Sequence, residues 1–255
     1  LTFARYPSLA GRVVFVTGGA TGIGAEIVAA FAAQGARVAF IDLEREAGAA
    51  LATAIASRGD PAPMPLTGDV TDVAALQAAL AETRAALGPV GVLVNNAAND
   101  RREPVDEISL ASWEAAQNVN LRPHMFAAQA VRPHMRELGG GAIINLSSVA
   151  WRVGGADMIP YVTAKAAILG LTHALARAYG PDNIRVNAIE PGAVMTERQR
   201  RLWYRSPEAV QTMVDRQVLK QVLEPGEIAR MALFLAADDS RMITKQSFVV
   251  DAGLS

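Results

Sequence analysis

Short β-branched runs alternate with helix-length apolar stretches along almost the whole of this 255-residue chain. The run Arg12-Val13-Val14-Phe15-Val16-Thr17 reads as a strand buried on both faces and ends at Gly18-Gly19. From Gly22 to Gln34 the apolar residues Ile23, Ile27, Val28 and Phe31 recur at helical spacing, and Gly35 supplies the stop. A second buried strand, Arg37 to Ile41, runs into Asp42. The rhythm continues with a helix over about 44–57, a strand over about 64–68, a helix over about 73–86 and a strand over about 91–94. A long helix over about 107–137, strand 142–146, a helix over about 161–179, strand 184–189 and a last strand near 247–250 complete it. Such alternation predicts βαβ units with right-handed crossovers. The expected fold is α/β and doubly wound, a Rossmann fold with a seven-stranded parallel sheet and helices on both faces. No Pro-, Gly- or Ser-rich linker interrupts it, so 1–255 is expected to be a single domain. The stretch from about 193 to 219 breaks the alternation beside the expected ligand crevice and is a candidate lid.

Composition narrows the function. With 51% hydrophobic and 19% charged residues the chain can bury a sizeable core. Its 24 basic and 25 acidic residues give no electrostatic reason to bind nucleic acid or an anionic membrane. Cysteine is absent, which excludes disulfides and thiolate catalysis, and three scattered His make no metal site. No signal-peptide run precedes the first strand, so a soluble cytoplasmic protein is expected.

Thr17-Gly18-Gly19-Ala20-Thr21-Gly22-Ile23-Gly24 sits between the first strand and the first helix. Glycines there let the backbone turn tightly and approach a pyrophosphate, while helix-start N–H groups face its charge. Any glycine-rich turn has some of these properties; the position after a buried strand is what points to a dinucleotide. Asp42, 18 residues after Gly24, ends the second strand, where a carboxylate accepts from both adenosine ribose hydroxyls and repels a 2′-phosphate. Its neighbour Leu43 offers no cation, so NAD is the expected cofactor, although Asp42 can also cap a helix. Asp69-Val70 after the third strand and Asn96-Ala97-Ala98 after the fourth fall at successive strand ends, where a doubly wound sheet gathers ligand contacts.

Tyr161 and Lys165 share one helix face, and Ser148 lies 13 residues before the tyrosine. A phenol ordinarily titrates near pKa ~10. A lysine cation and an oxidised nicotinamide beside it are expected to lower that value. Tyr161 can then take the proton of a substrate hydroxyl as the carbon loses hydride, with Ser148 holding the same oxygen. A Tyr–Lys pair at this spacing is common by chance; the serine and the glycine turn give it weight.

Together these motifs resemble the short-chain dehydrogenase/reductase family over about residues 8–253. Carrying the likeness are Thr17–Gly24, Asp69, Asn95-Asn96-Ala97, Asn120, Ser148, Tyr161-x-x-x-Lys165 and Pro191-Gly192-Ala193-Val194-Met195-Thr196. The resemblance implies a catalytic tetrad of Asn120, Ser148, Tyr161 and Lys165. It implies a water relay held by the Asn120 carbonyl and Lys165, with Lys165 on the nicotinamide ribose and the Pro191, Gly192, Val194 and Thr196 segment against the carboxamide. It also implies a homotetramer paired through the helices over about 107–137 and 161–179, with a further contact at the last strand. Two residues depart from the pattern: Ala98 stands where glycine is usual, and Glu190 precedes Pro191 where small or apolar residues are frequent.

Residues near the expected pocket are polar: Asn99, Asp100, Arg101, Arg102, Trp151, Arg152, Asp157 and Glu190. Such groups suit a substrate rich in hydroxyls better than a steroid or acyl chain. Tyr6-Pro7-Ser8-Leu9, Asn99-Asp100-x-Arg102 and Trp151 make the chain similar to the family's bacterial aldose 1-dehydrogenases, which oxidise the anomeric carbon to an aldonolactone. The resemblance implies a sugar substrate, with Asn99, Trp151 and Glu190 expected to orient the ring beside Ser148 and Tyr161. The alternatives are another short-chain alcohol dehydrogenase, a 3-oxoacyl reductase, or a non-catalytic NAD-binding regulator.

Overall fold

The fold is known from a computed structural model, which describes residues 3–255. Its strands are β1 (Val13–Thr17), β2 (Arg37–Asp42), β3 (Met64–Thr67), β4 (Val92–Asn95), β5 (Gly141–Leu146), β6 (Ile184–Pro191) and β7 (Ser247–Val250). All pair in parallel in one seven-stranded sheet of order β3-β2-β1-β4-β5-β6-β7. The helices are α1 (Gly22–Ala33), α2 (Arg45–Ala56), α3 (Val73–Leu87), α4 (Leu110–Asn120), α5 (Arg122–Glu137), α6 (Ala150–Val153), α7 (Ile159–Tyr179), α8 (Glu197–Leu202), α9 (Pro207–Arg216) and α10 (Pro225–Ala236). This is the doubly wound Rossmann architecture that the alternation predicts.

Strand pleat explains the two layers. Val14 and Val16 point into a core with Ile27, Val28 and Phe31 of α1 and Ala229, Ala232 and Leu233 of α10. Val13 and Phe15 point the other way, toward Leu76 and Leu80 of α3, Val131 and Met135 of α5 and Leu175 of α7. Every residue of β1 is buried, as a central parallel strand covered on both faces requires. The strand order reverses between β1 and β4, and that switch point opens a crevice at the strands' C-terminal ends. Helix α7 is long and apolar enough to cross a bilayer by length and composition. Its Ala164, Ile168, Thr172 and Leu175 are buried in the molecule, as in a core helix.

One expectation is corrected. The helix read over 107–137 is two helices, α4 and α5, broken at Leu121. Pro123 is the cause: it has no N–H to give the Val119 carbonyl and its ring crowds that carbonyl. At the break the His124 N–H turns to the Leu121 carbonyl (3.2 Å), away from that of Asn120. The 193–219 stretch is structured, holding α8 and α9.

Candidate active site

A cleft of about 850 Å³ runs along the switch point. It is lined at one end by Gly18, Thr21, Gly22, Ile23, Gly24, Asp42, Leu43, Asp69 and Val70, and along its floor by Asn96, Ala97 and Ala98. Ser148, Tyr161, Lys165, Pro191, Gly192, Val194 and Thr196 complete the set that it brings together.

The glycine turn is built for close approach. Gly18 and Gly22 have φ of +67° and +57°, a region that penalises side chains. A Cβ on Gly24 would collide with the Gly18 carbonyl oxygen and come within 2.7 Å of Asn96 Nδ2. Asn96 is what holds this turn to β4: its Nδ2 donates to the carbonyls of Thr17 (3.1 Å) and Gly18 (2.8 Å). Thr17 Oγ1 in return accepts from the backbone N–H groups of Asn96 and Ala97. Asp42 Oδ2 accepts from Ala20 N (2.8 Å) and Oδ1 from Glu44 N (3.1 Å), which fixes an anionic side chain at the cleft edge. Each carboxylate oxygen keeps a lone pair for a ribose hydroxyl. This cradle, whose glycine positions leave no room for side chains, fits a nicotinamide dinucleotide.

The reacting groups lie at the other end. A hydrogen bond joins Ser148 to the Tyr161 phenol. Lys165, 1% exposed, donates from Nζ to the Leu146 carbonyl (2.7 Å) and sits 5.5 Å from the centroid of the Tyr161 ring. Burial pushes the Tyr161 phenol up to about 12, only partly opposed by the Ser148 bond. Burial likewise brings Lys165 down to about 7, with Asp100 acting the opposite way. The expected lowering of the phenol therefore does not come from the chain alone. Desolvation outweighs the Ser148 hydrogen bond and the Arg198 charge, and further positive charge in the cleft is needed to favour phenolate.

Asn120 is fully buried and does not line the cleft. Its Oδ1 accepts from Asn99 N (2.8 Å) and its Nδ2 donates to the carbonyls of Asn99 (3.0 Å) and Ala116 (2.9 Å). It thus pins the loop after β4 to the end of α4. Three residues expected at the substrate lie outside the lining. Asn99 is exposed, with Oδ1 accepting from Arg198 (3.3 Å). Glu190 is fully buried, its Oε2 accepting from Trp151 Nε1 (2.6 Å) and Arg152 Nε (3.0 Å) and its Oε1 from Arg152 Nη2 (2.8 Å). Trp151 in turn has the Arg152 guanidinium 4.7 Å from its ring centroid.

What roofs the cleft instead comes partly from α8 and the chain after it. Arg198 forms an ion pair with Asp100, and Gln199 Nε2 donates to the other Asp100 oxygen (2.7 Å). Burial raises the Asp100 carboxyl, but those hydrogen bonds and the Arg198 charge bring it below its ordinary value. Arg102 pairs with Asp157 (3.3 Å) and stacks on Trp203, 3.9 Å from its centroid. Tyr204, Met213 and Arg216 line the same space. Sequence reasoning missed Arg198, Gln199, Tyr204, Met213 and Arg216. The signals available were the broken alternation over 193–219 and the arginine-rich run Glu197–Arg205, which also reads as a solvated helix face.

A glycine cradle for a dinucleotide and a Ser–Tyr–Lys set in one cleft define an oxidoreductase of CH–OH groups. The chain belongs to the short-chain dehydrogenase/reductase family. Residues 18–255 match the family described as enoyl-(acyl carrier protein) reductase. The chain is 47% identical to the probable galactose dehydrogenase GalD of Rhizobium meliloti, over all of this chain and 99% of that one. It is 44% identical to D-xylose 1-dehydrogenase of Caulobacter vibrioides, over 99% of both. Among solved structures, a blue fluorescent protein from a metagenomic library, in complex with NADPH, superposes with a TM-score of 0.88 at 36% identity, covering 97% of this chain and 99% of that one.

Proposed function

We propose that this chain is an NAD-dependent sugar dehydrogenase that oxidises an aldose at C1 to its aldonolactone. The observation that carries the reading is the Ser148–Tyr161–Lys165 set in a cleft whose substrate end is polar. The galactose and xylose dehydrogenases among its relatives support a sugar substrate. Gly18, Gly22 and Gly24 would hold the pyrophosphate, Asp42 the adenosine ribose, Lys165 the nicotinamide ribose and Pro191, Gly192, Val194 and Thr196 the carboxamide. When bound, the nicotinamide supplies the hydride acceptor.

Tyr161 takes the proton of the anomeric hydroxyl, and Ser148 donates a hydrogen bond to the oxygen as it becomes the lactone carbonyl. Lys165 adds positive charge near the phenol when protonated. Asp100, Arg102, Asp157 and Arg198 offer partners to the remaining sugar hydroxyls, and Tyr204 is an aromatic available for the ring face. Asp42 favours NAD over NADP by repelling a 2′-phosphate. By the family resemblance the active form is a homotetramer in the cytoplasm.

A panel of aldoses assayed with NAD and with NADP, the products trapped as hydroxamates of the lactone, tests the reading. Turnover of D-galactose or D-xylose with NAD and a trapped lactone is expected. Activity confined to hydrophobic alcohols or acyl thioesters refutes it.

A further inference from the structure

Glu190 lies one residue before Pro191-Gly192, is fully buried, and spends both carboxylate oxygens on two side chains of one short helix. That helix, α6, begins two residues after Ser148. We propose that Glu190 is a positioning residue for Ser148, clamping α6 to β6 through Trp151 and Arg152 so that the serine hydroxyl stays in register with Tyr161. The inference rests on the reading of Ser148 and Tyr161 as the reacting groups.

Two sets of bonds bracket the serine. On the sheet side, Ser147 N donates to the Ile189 carbonyl (2.8 Å) and Val149 N to the Pro191 carbonyl (3.0 Å), so the backbone on each side of Ser148 is tied to β6. These bonds fix where the segment lies but leave the end of α6 unanchored. The side-chain clamp closes that end: Trp151 and Arg152 reach back to Glu190, between Ile189 and Pro191. Ser148 Oγ also accepts from Ala150 N (3.1 Å), so a shift of the first turn of α6 is passed directly to the hydroxyl. The planar guanidinium of Arg152 gives the clamp a two-point geometry that an apolar contact lacks. A buried carboxylate is costly unless fully partnered; here Trp151 and Arg152 are the partners from α6, and the Ser247 side chain of β7 adds a further hydrogen bond.

A double-mutant cycle on the full chain separates positioning from general stability. The variants are Glu190→Gln, Ser148→Ala and their combination, each confirmed folded by thermal unfolding and counted by NADH fluorescence titration. Rates are taken with NAD on D-galactose and D-xylose. In the otherwise native chain Glu190→Gln is expected to lower kcat per NADH-binding site about tenfold or more, the scale on which small misplacements of reacting groups act. NADH affinity should stay within about twofold. In the Ser148→Ala background the same substitution should cost less than about twofold, because its route of action is gone. Native kcat in folded Glu190→Gln, or an equal penalty in both backgrounds, overturns the inference. If Glu190→Gln does not fold, Trp151→Phe, which removes one donor and keeps the Arg152 pair, takes its place with the same criteria. Tyr161→Phe is run in parallel: near-native turnover in that variant defeats the underlying reading of the site, whereas its loss beside an unaffected Glu190→Gln defeats the clamp alone.

Discussion

Asp42 and Lys165 show how one side chain's surroundings set a measurable property. The Asp42 carboxylate is held at the cleft edge by Ala20 N and Glu44 N. Replacing it with alanine removes both the ribose acceptor and the repulsion of a 2′-phosphate. We expect Asp42→Ala to reduce the ratio of kcat/KM for NAD over NADP by about tenfold or more, read by steady-state kinetics with each cofactor. Lys165 is held at about 7 by burial, against 10.5 for a free lysine. Between those values the unfolded chain binds a proton that the folded chain has released, so this group makes stability rise with pH across that window. Urea midpoints from pH 7 to 10 should therefore climb more for the native chain than for Lys165→Met; parallel slopes contradict the burial argument. Glu190 marks the limit of reading residues from sequence. Its place before Pro191 signalled a carboxylate in need of a partner, but pairing with Trp151 and Arg152 depends on how β6 and α6 meet.

Elements were legible where periodicity and punctuation agree. β1, α1 and β2 lie close to the boundaries that their apolar spacing and glycines predict. The division of α4 from α5 was also encoded, in Pro123, but the apolar pattern runs through it and hides the break. The 193–219 stretch was visible only as a disturbed rhythm, because α8 is an arginine-rich helix with no buried residue of its own. Its attachment to the rest of the molecule is tertiary: Arg198 and Gln199 both hold Asp100. Arg198→Ala should loosen α8 from the loop after β4. The expected result is a several-fold rise in KM for the sugar, by analogy with the loss of a polar contact in a desolvated site, with NADH affinity changed less. An unchanged sugar KM rules out a role for this latch in substrate binding.

Over the molecule as a whole, the strand alternation was enough to specify the sheet, because parallel crossovers of one hand leave few topologies open. It also located the crevice, since a doubly wound sheet collects ligands where its order reverses. Assembly is a different matter, set by surfaces that a single chain leaves exposed. The outer edge of β7 is unpaired among the described residues, and Val249 is 40% exposed. Leu110 at the start of α4 is 74% exposed. An open strand edge with apolar neighbours is a surface that proteins cover. Sedimentation equilibrium is expected to show a homotetramer; a monomer at micromolar concentration contradicts that proposal.

The proposed oxidation depends on the Tyr161 phenol as the base that accepts the sugar's hydroxyl proton. Turnover of the best aldose with saturating NAD, compared between the native chain and Tyr161→Phe, tests this most directly. NADH binding followed by fluorescence serves to show an intact cofactor site. The expected result is a fall in kcat of about a thousandfold or more, within the range that loss of a general base produces, with NADH affinity preserved. A Tyr161→Phe enzyme that binds NADH and turns over at close to the native rate contradicts it.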